Sequence, residues 1–270
     1  TRPPWTDAAT IAWAIAFHLK DVITMSASAY FDAAEAGLKK LRDEQLPAIE
    51  RAAELMADAI AQGQAVFAFG ATHSFILTEE LVYRTGGLML VNPIYPHGMN
   101  LSVRPMTQTS RFERILGLGT ELLAGSPAAA GDVLILSSTS GRNAVVIDMA
   151  LAARERGIRI IGITALAYTH GVTSRHPSGH KLADLCDIVI DNCAPYGDAV
   201  VEIPGCPQKI GPLSTLTGVA VVNALVTETV ARLVAANVVP PVFMSANVDG
   251  GDAHNAAQLK ANAHRIHYMN

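Results

Sequence analysis

The stretch Gly131-Asp132-Val133-Leu134-Ile135-Leu136-Ser137-Ser138-Thr139-Ser140-Gly141-Arg142-Asn143 decides the fold. Its run of aliphatic residues, Val133 to Leu136, leaves no polar face, as expected of a short strand covered on both sides. Hydroxyl residues, a glycine and an asparagine follow. Then Val146, Met149, Ala150 and Ala153 recur at helical spacing until Gly157 stops the run. Strand, polar loop and helix in that order are the first part of a βαβ unit.

The same pattern extends outward. Upstream, Ala65 to Phe69 is a second apolar run; it ends at Gly70 and leads through Ala71-Thr72-His73-Ser74 to a helix-like stretch from Ile76 to Tyr83. Leu88 to Val91 follows Gly86-Gly87 as another strand. Downstream, Ile158 to Ile163 and Asp187 to Asp191 supply two more. Strands alternating with helices predict a three-layer α/β/α sandwich with a five-stranded parallel sheet. Helices precede it over residues 26–62, where Pro47 starts a second segment and Gly63 ends it. Residues 92–112 carry Pro93, Pro96, Gly98 and Pro105 and read as a long loop of the kind that often serves function. Gly211 to Ala236 is a long apolar helix, ended before Pro240-Pro241.

Half of the 270 residues are hydrophobic and 16% are charged, which suits one large α/β domain over residues 25–270. A mean hydropathy of +0.27 implies apolar surface beyond one core, to be covered in a homodimer or homotetramer with shared sites. The net charge of −4, with no run of Lys and Arg, argues against a nucleic-acid partner. Ile11 to Leu19 is too short for a bilayer span of ~20 residues, so no membrane association is expected. Residues 1–24 read as a leader or an added extension, with Met25 a natural start. Cys186, Cys193 and Cys206 form no CxxC; they read as small buried side chains in a reducing cytoplasm.

Ligands of parallel α/β sheets bind beyond the carboxyl ends of the strands. There Ser138, Thr139, Ser140 and Asn143 gather hydroxyls, backbone N–H groups and the positive end of a helix, while Gly141 lets the backbone come close. That is a phosphate-binding composition. The plainer reading is a serine-rich turn capping the following helix.

Leu136 to Asn143 resembles the phosphate signature of the sugar isomerase (SIS) domain family, and the resemblance runs from about Met25 to the C-terminus. It takes in Phe69 to Ser74 as the first ligand loop and Gly211 to Thr217 at the start of the last long helix. Ser174 to Gly179 and Ser245 to Asp252 look closest to a single-domain branch. The resemblance implies a flavodoxin-like topology and a sugar-phosphate ligand. It places Ser138, Thr139, Ser140 and Asn143 at the phosphate, His73 and Ser74 near the sugar, and Ser214, Thr215 and Thr217 at a closing helix start.

Aldose–ketose isomerisation through an enediol needs a base at C2 and a group that opens the ring. Glu79 and Glu80 follow the first loop, in the helix where related isomerases carry a glutamate, and Glu79 is the preferred base. Glu80 has a possible i,i+4 partner in Arg84 instead. His254 resembles the C-terminal histidine that a neighbouring subunit sometimes supplies. His170, His176 and His180 could be ligands, yet their loop is rich in Gly, Pro and Ser, and no metal is expected. Nor is a cofactor, since Gly70 to Ser74 lacks the G-x-G-x-x-G of nicotinamide enzymes. The expected function is a sugar-phosphate isomerase. Its rivals are a lyase or etherase on an amino-sugar phosphate such as N-acetylmuramic acid 6-phosphate, and a non-catalytic phosphosugar sensor.

Overall fold

A computed structural model describes residues 8–269, with side chains from residue 26. In chain order the elements are α1 (Ala8–Ala61), β1 (Val66–Gly70), α2 (Phe75–Leu81), β2 (Val91–Pro93), α3 (Thr107–Phe112), α4 (Leu118–Ala124) and β3 (Val133–Ser137). There follow α5 (Ala144–Glu155), β4 (Arg159–Thr164), α6 (Leu166–His170), β5 (Ile188–Asp191), β6 (Ala199–Val201), β7 (Ile210–Pro212), α7 (Ser214–Ala235) and α8 (Gly251–Ala261).

The aliphatic runs pair in parallel in the order β2-β1-β3-β4-β5. Alternate residues point to opposite faces, and the two cores divide accordingly. Val66, Ala68, Val133, Ile135, Ile161 and Ile163 pack with α1, α2 and α7. Phe67, Phe69, Leu134, Leu136 and Ile160 pack with α4 and α5. This is the expected three-layer sandwich. The order reverses at β1, whose two neighbours are β2 and β3, so a crevice opens at their carboxyl ends.

Several boundaries differ from the expectation. Pro47 lies inside α1 rather than starting a second helix. Leu41 on one side and Ala48, Ile49, Ala52, Ala53 and Met56 on the other are buried in a single core. That continuous burial offsets the hydrogen bond the proline removes, a loss of about 3 kcal/mol or more. Of residues 1–24, read above as a leader, 1–7 lie outside the described residues and 8–24 belong to α1. The second strand is Val91–Pro93, because the residues before it are taken by another partner. Gly86 and Met89 donate to the carbonyls of Phe243 and Pro241, and Leu88 forms an antiparallel bridge with Val242. Residues 92–112 end in α3 rather than remaining loop throughout.

β6 and β7 form a separate antiparallel hairpin. Cys193 is buried and Cys186 half-buried, but Cys206 on this hairpin is exposed, and all three are free thiols. The helix α7 is long and apolar enough to cross a membrane by length and composition. Here it packs against α1 and α2, with Val221, Val222, Leu225 and Leu233 in the core.

Candidate functional site

The crevice holds a cavity of about 410 Å3. His73, Ser74, Ser138, Thr139, Ser140, Asn143, Ser214 and Thr215, the binding residues read from the sequence, all line it. Three element ends bring them together: the turn after β1, the loop after β3 and the first turn of α7.

The first turn is tight. A Cβ on Gly70 would lie 2.2 Å from the Ser74 carbonyl oxygen, so only glycine fits there. In the second loop Gly141 has φ +61, and a side chain there would press on Thr164, Thr169 and Leu182. Backbone bonds tie this loop down: Ala165 N–H donates to the Thr139 carbonyl and Leu182 N–H to that of Gly141. The Thr169 hydroxyl donates to the Ser140 carbonyl. These bonds occupy the loop's carbonyls and leave its hydroxyls free. Among the described residues the side chains of Ser74, Ser138, Thr139, Ser140 and Thr215 have no hydrogen-bond partner. Ser214 differs, since its hydroxyl and its N–H both donate to Asp198, at 2.7 Å each.

Asn143 stands at the N-cap of α5 with extended backbone, yet its side chain does not cap the helix. Its amide nitrogen donates to Oε2 of Glu113, and its oxygen accepts from Nη1 of Arg175 at 2.8 Å. Glu113 is the acidic residue that the sequence reading missed. It lines the cavity, its Oε1 lies 2.7 Å from the Thr72 hydroxyl, and its carbonyl accepts the Val145 N–H of α5. Burial pushes its carboxyl above the ordinary range. The charges of Arg114 and Arg175 and the Asn143 amide pull the other way without cancelling the effect. No motif surrounds Glu113; only the fold brings it to the loop.

Tyr168 also lines the cavity, its ring edge-on to Tyr196 at 5.2 Å. The two proposed catalytic residues lie elsewhere. Glu79 is exposed on α2, near enough to Tyr95 to help burial raise that phenol to about 12. Glu80 pairs with Arg84 and accepts from Asn223 on α7. His254 is exposed on α8, with Nε2 3.1 Å from the Val242 carbonyl oxygen. The three loop histidines are not gathered: His176 bonds with Asp148 and Ser178, while His170 and His180 are exposed. Among the described residues no group of three His, Cys, Asp or Glu side chains could hold a metal ion.

The SIS-domain family profile matches residues 29–165. The chain belongs to the SIS family. UPF0309 proteins are close relatives of this SIS protein. That of Oceanobacillus iheyensis is 44% identical over 232 residues, 86% of this chain and 94% of the relative. That of Shouchella clausii is 42% identical over 240 residues, covering 89% and 98%. Among solved structures, a phosphoheptose isomerase from Neisseria gonorrhoeae superposes with a TM-score of 0.52 at 18% identity, over 77% of this chain and 99% of the other. One from Francisella tularensis gives 0.51 at 16%, over 75% and 95%. At that identity the SIS domains share a fold, and the likeness reaches no further.

Proposed function

We propose that this SIS protein binds a sugar phosphate in the 410 Å3 cavity and interconverts aldose and ketose through an enediol. The observation that carries the reading is the row of unpartnered hydroxyls on Ser138, Thr139 and Ser140, beside the N-terminus of α5. A phosphate can accept from all three, and the helix end favours its charge. The cavity has room for a sugar beyond it. Glu113 and His73 line the same space, and a carboxyl and an imidazole are the side chains that most often carry protons between carbon and oxygen. Glu79 and His254 lie outside this lining, and this reading gives the proton work to Glu113 and His73; the Asp198 carboxylate in the same lining is taken up by Ser214.

The experiment is a panel of pentose, hexose, heptose and amino-sugar phosphates incubated with the protein in deuterated water and followed by NMR. Deuterium at C2 with aldose–ketose exchange is the expected result. Elimination, such as lactate release from N-acetylmuramic acid 6-phosphate, would replace the isomerase with a lyase; tight binding without turnover across the panel would leave a sensor. The phosphate assignment has its own check by calorimetry. Thr139→Val with Ser140→Ala should weaken phosphosugar binding by about 1.5–3 kcal/mol for each hydrogen bond lost. Unchanged affinity would place the phosphate elsewhere.

A further inference from the structure

Thr72 is a β-branched residue with φ +52, a conformation that costs energy and persists only where neighbours enforce it. Its N–H donates to the Met99 carbonyl at 2.8 Å. Its hydroxyl oxygen lies 2.8 Å from the Ala71 carbonyl oxygen and 2.7 Å from Oε1 of Glu113. A hydroxyl has one proton to give. Were it given to an ionised Glu113, the Thr72 and Ala71 oxygens would face each other at 2.8 Å with no hydrogen between them. Both contacts become hydrogen bonds only if Oε1 carries a proton: Glu113 donates to Thr72, and Thr72 donates to Ala71.

The other carboxyl oxygen fixes which of the two can carry that proton. Arg175 can only donate, so Asn143 must turn its oxygen towards Nη1 and its amide nitrogen towards Oε2 of Glu113. Oε2 therefore accepts and holds no proton, so the proton that the Thr72 contacts call for sits on Oε1. The charged neighbours are Arg114, next in the chain, and Arg175 from the loop after α6; both favour the anion, and burial opposes them. A phosphate bound beside Asn143 would add to burial's side.

We propose that Glu113 is held as the neutral acid in the ligand-free site, its proton on Oε1, with Thr72 and the Arg175–Asn143 pair as positioning residues. It then meets a sugar phosphate as a hydrogen-bond donor, suited to a carbonyl oxygen on which negative charge develops. This rests on the reading of Glu113 as an acid–base group, but its test needs no substrate.

The test is carbon-13 NMR of the full chain labelled at glutamate side-chain carboxyls, with the Glu113 signal assigned by its loss in Glu113→Gln. In the wild type its titration midpoint should lie above those of the exposed glutamates. Thr72→Val removes the acceptor of the acid proton, so the midpoint should fall, and Thr72→Ser should restore it. Should the valine variant not fold, Thr72→Ala reports the same loss of the hydroxyl. A midpoint that rises or stays put in Thr72→Val would mean that Thr72 donates to a carboxylate, and the proposal is then wrong. So would a wild-type midpoint at or below that of the exposed glutamates. Neither outcome depends on which sugar phosphate, if any, is turned over in the deuterium experiment.

Discussion

Glu113 and the hydroxyls of the phosphate loop differ in how they could be found. Ser138, Thr139 and Ser140 are adjacent in the chain, so their convergence is visible in the sequence. Glu113 meets Thr72 across 41 positions and Asn143 across 30, and nothing local marks it. An acid–base role predicts that Glu113→Ala lowers turnover by roughly 10²–10⁴-fold while phosphosugar affinity survives. If the side chain acts as a donor, Glu113→Gln should keep more activity than Glu113→Ala in steady-state assays; equal losses would favour a base. A second consequence concerns stability. The folded pKa of Glu113 is raised above its unfolded value, so its contribution is complete below the unfolded pKa and lost as pH rises through the folded one. Thermal melts should therefore show Glu113→Gln gaining on the wild type as pH rises through that range. A constant difference across the pH series would contradict the raised pKa.

Among the elements, α5 does more than present its N-terminus to the site. Its buried Asp148 accepts from the Gly117 N–H at 2.7 Å, where α4 begins, and contacts Nε2 of His176 at 3.0 Å. One carboxylate thus holds both the segment that follows Glu113 and the loop that carries Arg175. Asp148→Ala leaves two donors without partners and should cost about 2–5 kcal/mol, read as a lowered melting temperature. It should also weaken turnover, because Glu113 and Arg175 lose their anchors; full activity in a destabilised variant would show that the anchoring is dispensable. Strands were legible where a continuous apolar run leaves only one interpretation, as in β1, β3 and β4. The short helices α3, α4 and α8 were not, since their sequences bury few residues and carry little periodicity. The placement of β2 escaped for another reason: the competing segment, residues 241–243, lies far downstream.

The molecule as a whole keeps apolar surface on the outer side of α1. Phe31 is 66% exposed, Leu46 47% and Leu38 38%. They lie seven and eight residues apart, two helical turns each, so they stack along one side of the helix. A stripe of this kind is usually covered by another chain. Light scattering should give a dimer or larger assembly, and Phe31→Lys with Leu38→Glu should shift it towards monomer. The parallel sheet and the phosphate loop were legible from the chain because each is built from contiguous runs; an intersubunit contact has no such local signature. It bears on His254, which is exposed on α8 and lies outside the cavity lining of its own chain. If a neighbouring subunit brings His254 to the cavity, Glu113→Ala and His254→Ala chains should each be inactive alone. Mixed by unfolding and refolding together, they would form hybrid dimers with one site that has both residues intact. Random pairing then restores about a quarter of wild-type turnover. Recovery no greater than the sum of the separate variants would confine each site to a single chain and remove His254 from the chemistry.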